Sequence, residues 1–407
     1  MVTYGSEGDT RPLVALCVGL IEAGHEVRLF AEQSTVGSAR SHGVPVEALA
    51  GDIKSTLPAT DPSQELRGRD VIAAIRRGFR VINGSTAAWM SAVTEHARGS
   101  DAMLFAGLAS PMAQAVAEAL RKPAISLWLQ PTTPTREFSS PALPSMNLPG
   151  WLNRVSYHAS PQALIRRFYG GASERARTDI FGERAQRKLA DLPYLYGFSR
   201  HLVARPADWP GSHRICGHWP LPTGEWRPPA ELADFLAAGP PPIYLGFGAV
   251  SSFMRQKGLA AIAEALNGRR ALFYPGWSKI TAAQLPSNFL VLGDTPHAWL
   301  FPRTSMVIHH GGAGTTHTAA RAGIPSIPLP VGADQFFWAG RLAAAGVSPK
   351  TVRATRIDAK SLAAMMEFAQ RDDVRARAKA LGAAMADENG IACAVAAIEN
   401  QTARMSI

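Results

Sequence analysis

The residues best suited to chemistry form the run His309-His310-Gly311-Gly312-Ala313-Gly314-Thr315-Thr316. It follows Ser305-Met306-Val307-Ile308, which reads as a buried strand, and precedes His317 to Gly323, which reads as a helix ending on glycine. A strand, a glycine turn and a helix N-terminus together present unpaired backbone N–H groups, a ready receptor for an anion. The glycines let phosphate oxygens approach the main chain, and the Thr315 and Thr316 hydroxyls can cap the helix and donate to the same ligand. His310, at the strand's C-terminal end, adds an imidazole donor. The chemistry this predicts is a diphosphate cradle made of His310, Gly312, Gly314, Thr315 and Thr316. The same strand–turn–helix also occurs throughout α/β proteins with no ligand.

Two carboxylates accompany the cradle. Asp334, followed by Gln335, lies after the short strand pattern ending Leu329-Pro330 and leads into another helix. Asp9 ends Gly5-Ser6-Glu7-Gly8-Asp9, between the apolar Met1–Tyr4 and an amphipathic helix expected from Pro12 to Ala23. Asp9 reads as a helix N-cap, a carboxylate placed at the C-terminal edge of a sheet. Glu7 beside it would raise the Asp9 pKa if the two carboxylates are close.

The elements that must position these groups follow an α/β rhythm. Met1–Tyr4 reads as the tail of a strand that is short at its start. Strands are expected near residues 27–30, 44–48, 102–105 and 124–129, with helices over 70–97, Asn83-Gly84 marking a candidate break, and over 111–120. Residues 51–69 and 130–150 read as polar or Pro-rich loops. Proline density from Trp219 through Pro242 marks a stiff linker. Ile243 to Val250 then opens a second domain, and helices over 358–386 and 389–399 close the chain. The expected fold class is α/β, with residues 1–217 and 243–388 as domains, 218–242 as linker and 389–407 as a final helix.

Residues 296–347 resemble the nucleotide-sugar signature of the GT-B glycosyltransferases related to plant UDP-glycosyltransferases, bacterial antibiotic glycosyltransferases and sterol glucosyltransferases. The His-Gly-Gly-Ala-Gly-Thr core, Asp334-Gln335 and the Trp226-Arg227-Pro228-Pro229 linker carry the resemblance, which runs over nearly the whole chain. It implies two Rossmann-like, doubly wound parallel-sheet domains facing a cleft, the first binding acceptor and the second a nucleotide sugar, with the last helix crossing back to the first domain. It implies an inverting, metal-independent transfer of a hexose from a UDP- or dTDP-sugar to a hydroxyl of a hydrophobic acceptor (sterol, polyketide, polyphenol or glycolipid). Asp9 would be the base, and Asp334 and Gln335 would bind the donor sugar. Trp277, His297, Trp299 and Gly248 are candidates for the nucleotide base and ribose, each tryptophan reading equally as core. Ser6, Phe138, Met146 and Trp151 are candidates for the acceptor pocket or, equally, loop anchors. Glu7 stands where relatives carry arginine, Ala249 where they carry serine and Ala298 where they carry aspartate.

Composition narrows the alternatives. The chain has 407 residues, 46% of them hydrophobic, and a net charge of +10. Its arginines are dispersed along helical patterns without interleaved aromatics, which disfavours nucleic acid, while an anionic membrane surface remains a possible peripheral contact. Cys17, Cys216 and Cys393 are far apart and odd in number, against a disulfide framework or zinc site and in keeping with a reducing cytoplasm. No metal-spaced cluster is evident, and no cofactor beyond the nucleotide-sugar co-substrate is expected. The expected protein is a cytoplasmic monomer or homodimer. The competing readings are a UDP-sugar epimerase, a cell-wall glycosyltransferase, a nucleotide- or lipid-binding protein that has lost catalysis, and a dehydrogenase. The last is weakened by the incomplete dinucleotide fingerprint at Gly5–Gly8, with Glu32 the nearest acidic residue to close it.

Overall fold

The computed structural model describes residues 1–51, 68–143, 146, 148–183, 192–224, 226–248, 256–276 and 280–405. Two parallel sheets organise them. In the first, β1 (Leu29–Glu32) pairs with β2 (Val46–Leu49), and β3 (Met103–Ala106), β4 (Ala124–Trp128), β5 (Tyr194–Tyr196) and β6 (His213–Ile215) pair in succession. Val2 bridges both Phe30 of β1 and Phe105 of β3, so the first segment of the chain lies at the centre of the sheet. The second sheet runs β9 (Phe289–Val291), β8 (Ala271–Tyr274), β7 (Ile243–Gly246), β10 (Met306–His309) and β11 (Ser326–Pro328). In each sheet the strand order reverses beside the domain's first strand. Such a reversal opens a crevice beyond the carboxyl ends of parallel strands.

The local sequences explain the strands. Met103–Ala106, Ala124–Trp128 and Met306–His309 are fully buried, apolar runs rather than alternating ones, because helices cover both sheet faces. The helix over Glu7–Glu22 starts earlier than its Pro12 suggests: Ser6 caps it, and Pro12 lies inside the helix, where its missing N–H forgoes one intrahelical hydrogen bond. The helix Gly68–Ala97 passes unbroken through Asn83-Gly84, Gly84 lying on the exposed side while the Asn83 amide donates to the Phe168 carbonyl at 3.3 Å. The closing region divides at Arg371 into Ala359–Gln370 and Asp372–Ala386, followed by Gly390–Met405.

The two halves share packing. Phe138 meets Phe337 with ring centroids 5.6 Å apart, and Phe198 meets Trp338 at 5.8 Å. Residues 372–404 reach the length and hydropathy of a membrane span by composition, but Ala394, Val395, Ala397 and Ile398 are buried against Leu13, Leu16 and Leu20 of the first helix. The final helix therefore packs on the first sheet's side of the molecule.

Candidate active site

The first side of the site grows from the central segment of the first sheet. Ser6 caps the helix Glu7–Glu22, and Asp9, in its first turn, reaches back to accept from the Ser6 N–H at 2.8 Å and the Ser6 hydroxyl at 2.9 Å. Asp9 is thus the reciprocal partner of a cap rather than the cap itself. Gly5 makes room for it, since a Cβ there would fall 2.5 Å from Asp9 Oδ2. Burial raises the Asp9 pKa, against the Ser6 hydrogen bonds, while its side chain keeps partial access to solvent.

Glu7 takes no part in that shift. Arg11 Nε donates to Glu7 at 2.9 Å, and Arg11 Nη2 reaches across to Asp294 of the second domain at 2.9 and 3.0 Å. The expectation that Glu7 perturbs Asp9 is therefore corrected: its charge is engaged by Arg11, and the Asp9 shift comes from desolvation. No sequence signal paired Arg11 with a residue so distant in the chain.

The second side is the turn after β10. Gly312 caps the helix Ala313–Arg321, so Thr315 and Thr316 lie within its first turn rather than at the cap. Backbone N–H groups of that turn have no intrahelical acceptor, and the buried Thr316 hydroxyl has no protein partner. His310 sits against this turn: a Cβ on Gly312 would lie 2.4 Å from His310 Nε2, and one on Gly248 3.1 Å from His310 Cε1. Burial pushes the His310 pKa down to about 4, so the imidazole is neutral near pH 7, and its Nδ1 is buried without a partner. His309 points into the core and accepts from the Gly311 N–H at 3.1 Å.

Asp334 and Gln335 stand beside this turn, the Gln335 carbonyl lying 3.0 Å from where a Cβ of Gly311 would be. Asp334 accepts from the Trp338 indole N–H at 3.0 Å. Gln335 Oε1 accepts from the N–H groups of Val331 at 2.8 Å and Gly332 at 3.2 Å, which commits its oxygen to the loop and leaves its amide NH2 as the donor. The Asp334 pKa is pushed up to about 6, first by burial and further by the negative charge of Asp9 facing it from the other domain. The two carboxylates thus sense one another across the cleft, with the Gly311–Gly312 turn alongside.

The other expected site residues fall into different settings. His297 bonds the Tyr244 hydroxyl at 2.9 Å and stacks on Phe301, so both its edge and one face are occupied by core residues. Trp299 packs edge-on to the linker's Trp226 at 4.9 Å with Arg303 over its ring at 4.1 Å, the core alternative for this residue. Phe138 lies on Phe337 under Arg341, at the junction of the halves, while Met146 and Trp151 are 52% and 65% exposed. These last two stand on the open surface rather than in an enclosed pocket. Trp277 and Ala249 lie outside the described residues, and Ala298 is exposed. Among the described residues no group of His, Cys, Asp and Glu is arranged to hold a metal ion. Arg11 and Arg341, missed in the sequence, are visible only once the two domains are brought together.

Known proteins agree with this geometry. Residues 272–398 match the family described as Erythromycin biosynthesis protein CIII-like, C-terminal domain. The chain is 33% identical to the O-mycaminosyltylonolide 6-deoxyallosyltransferase of Streptomyces fradiae, covering 98% of this chain and 96% of that protein. It is 31% identical to a sterol 3-beta-glucosyltransferase of Arabidopsis thaliana, covering 98% of this chain and spanning 64% of the plant protein's length. Among solved structures, the glycosyltransferase of kitacinnamycin superposes with a TM-score of 0.69 at 17% identity, covering 99% of this chain and 98% of that one. The glycosyltransferase VinC, solved in complex with DTDP, superposes at 0.66 with 16% identity, covering 99% of each chain. The chain belongs to the GT-B glycosyltransferases, in the family that holds the sterol glucosyltransferases and macrolide glycosyltransferases.

Proposed function

We propose that the protein transfers a hexose, glucose being the first candidate, from a UDP- or dTDP-sugar to a hydroxyl of a hydrophobic small molecule, with inversion at the anomeric carbon. The observation that carries the reading is that Asp9 of the first domain and Asp334 of the second lie near enough for their charges to interact, Asp334 standing beside the glycine turn that opens the helix Ala313–Arg321. The region 1–217 would bind acceptor and the region 243–388 the donor. The donor diphosphate would rest on the first turn of Ala313–Arg321, held by Gly312, Gly314, Thr315 and Thr316, with neutral His310 donating to a departing phosphate oxygen. Asp334 and the Gln335 amide would bond the sugar hydroxyls.

In the reaction, the acceptor oxygen attacks the anomeric carbon from the face opposite the diphosphate. The carbon–oxygen bond to the diphosphate breaks as the new one forms, the electron pair leaving with the nucleoside diphosphate. The acceptor proton passes to Asp9, whose raised pKa makes it a better proton acceptor than an ordinary carboxylate. The helix N-terminus and His310 take up the leaving charge, so the reading requires no metal. The acceptor would enter past Phe138 and Arg341; Streptomyces fradiae and Arabidopsis relatives named for a macrolide and for sterols support an apolar, hydroxylated acceptor. Exposed Trp151, Val155 and Phe168, in a stretch free of acidic residues from Phe138 to Ser173, support peripheral contact with an anionic membrane.

The test pairs UDP-glucose and dTDP-glucose with a sterol and a macrolide aglycone in EDTA, following the glycoside by mass and its anomeric configuration by NMR coupling. A β-glycoside from an α-linked donor is expected. Donor binding with no transfer to any acceptor would instead favour a nucleotide-binding protein that has lost catalysis.

A further inference from the structure

Cys216 and Cys393, separated widely in the chain, meet where it passes between the domains. Cys216 follows β6 and is held to the first sheet by its N–H, which donates to the Tyr196 carbonyl at 3.0 Å. Cys393 lies in the first turn of the final helix, half-buried, and packs on the same apolar cluster as Cys216. Gly217, next to Cys216, and Gly390, three residues before Cys393, are in backbone contact: a Cβ on Gly217 would lie 3.1 Å from the Gly390 Cα, and one on Gly390 only 2.3 Å from the His218 carbonyl oxygen. Trp219 Nε1 donates to the Gly390 carbonyl at 3.2 Å, fixing the outgoing and returning passages against each other. The two thiols are near enough for each to perturb the other's titration. Cys17, the remaining cysteine, is buried in a separate cluster.

We propose that Cys216 and Cys393 are a modification site: an oxidant of the small-molecule disulfide class converts them to a reversible intramolecular disulfide that staples the final helix to the first domain at the interdomain crossing. The environment suits the chemistry. Interaction with Cys216 and the nearby Arg214 and Arg200 guanidinium groups lower the Cys393 pKa, against burial and Glu388, while Cys216 is raised and keeps its proton. Cys393 is therefore the attacking thiolate. Cys393 is only half-buried, so its thiol is the one of the pair within reach of a small-molecule oxidant.

The step balances. The Cys393 thiolate attacks one sulfur of oxidised glutathione, forming a mixed disulfide and expelling one glutathione thiolate. Cys216 loses its proton and attacks Cys393 Sγ, forming the protein disulfide and expelling the second glutathione thiolate. The two protein thiols lose two electrons and two protons overall, and the oxidised glutathione gains them as two thiols. In a reducing compartment a dithiol reductant reverses the bond, as befits a redox-responsive pair rather than a structural one.

The test incubates the full chain with oxidised glutathione, denatures it and alkylates it. The expected result is an intact mass lower by about 2 Da before alkylation, then one alkylated cysteine in place of three and a Cys216–Cys393 linked peptide, all reversed by dithiothreitol. Cys216→Ser should stop at the mixed glutathione disulfide on Cys393, and Cys393→Ser should not react. The oxidised wild type should unfold a few degrees higher, as a cross-link closing a long loop requires, and Cys393→Ser should show no such rise. Three free thiols after treatment, or a mixed disulfide that persists in the wild type, would overturn the proposal. These readouts are independent of glycosyl transfer.

Discussion

Asp334→Asn tests the electrostatics of the cleft most quantitatively. The carboxyl is surrounded by protein and faced by Asp9, and its pKa stands at about 6 in place of 3.8. A folded-state pKa above the unfolded one means the folded protein binds the proton more tightly, so the ionised form costs stability. That cost is absent below the unfolded pKa, grows between about 4 and 6, and is complete above the folded pKa. Its size is about 3 kcal/mol at 1.36 kcal/mol per pKa unit, an upper figure because the side chain is not wholly enclosed. Asparagine keeps an oxygen to accept from Trp338 Nε1 and removes the charge. Asp334→Asn should therefore raise the melting temperature at pH 8 by roughly 3–4 °C in a chain of 407 residues, and the gain should vanish towards pH 4. Because Asp9 supplies part of the shift, the gain should be smaller in an Asp9→Asn background. The assay is thermal unfolding of the four proteins of the cycle across that pH range. A loss of stability at pH 8, or a gain that does not change with pH, would refute the reasoning.

Other outcomes follow from the same geometry. Asp9→Asn should lower turnover by about 10²–10⁴-fold and leave the donor dissociation constant close to wild type, as measured by calorimetry. Arg11→Ala should change stability by less than about 1 kcal/mol, since the Arg11 and Asp294 side chains are 36% and 71% exposed, and added salt should erase the difference in a denaturant titration. His218, His297, His309, His310 and His317 all have pKa values lowered by burial. Their lowered values mean that the unfolded chain takes up protons first, so wild-type stability should fall as pH drops from about 6.5 to 4, visible in the unfolding midpoint.

Much of this site was legible in the sequence because it is local. The strand–glycine–helix run at 305–323, the Asp334-Gln335 pair and the Gly5–Asp9 turn each lie within a few residues, and period and glycine placement announce them. What was not legible depends on residues far apart. Asp9 reads as a cap because an acidic residue opens a helix, and only the backbone shows Ser6 taking that role. Glu7 looked like a disturbance to Asp9 until Arg11 was found between it and Asp294. Cys216 and Cys393 argued against pairing by their spacing, yet the return of the final helix brings them together. Trp299 shows the same limit: the sequence leaves it between a nucleotide base and the core, and packing places it against Trp226.

The central claim is that the first turn of Ala313–Arg321, with His310 against it, receives a nucleoside diphosphate. The measurement that tests it most directly is calorimetric titration of UDP and dTDP, in EDTA, into the wild type and Gly312→Ala. A methyl at Gly312 falls 2.4 Å from His310 Nε2 and must displace the imidazole. Binding by the wild type that is insensitive to EDTA, weakened at least about tenfold in Gly312→Ala (1.4 kcal/mol or more), is the result predicted. Equal affinity for the two proteins, in which unfolding curves show the same fold, would place the diphosphate elsewhere and contradict the account.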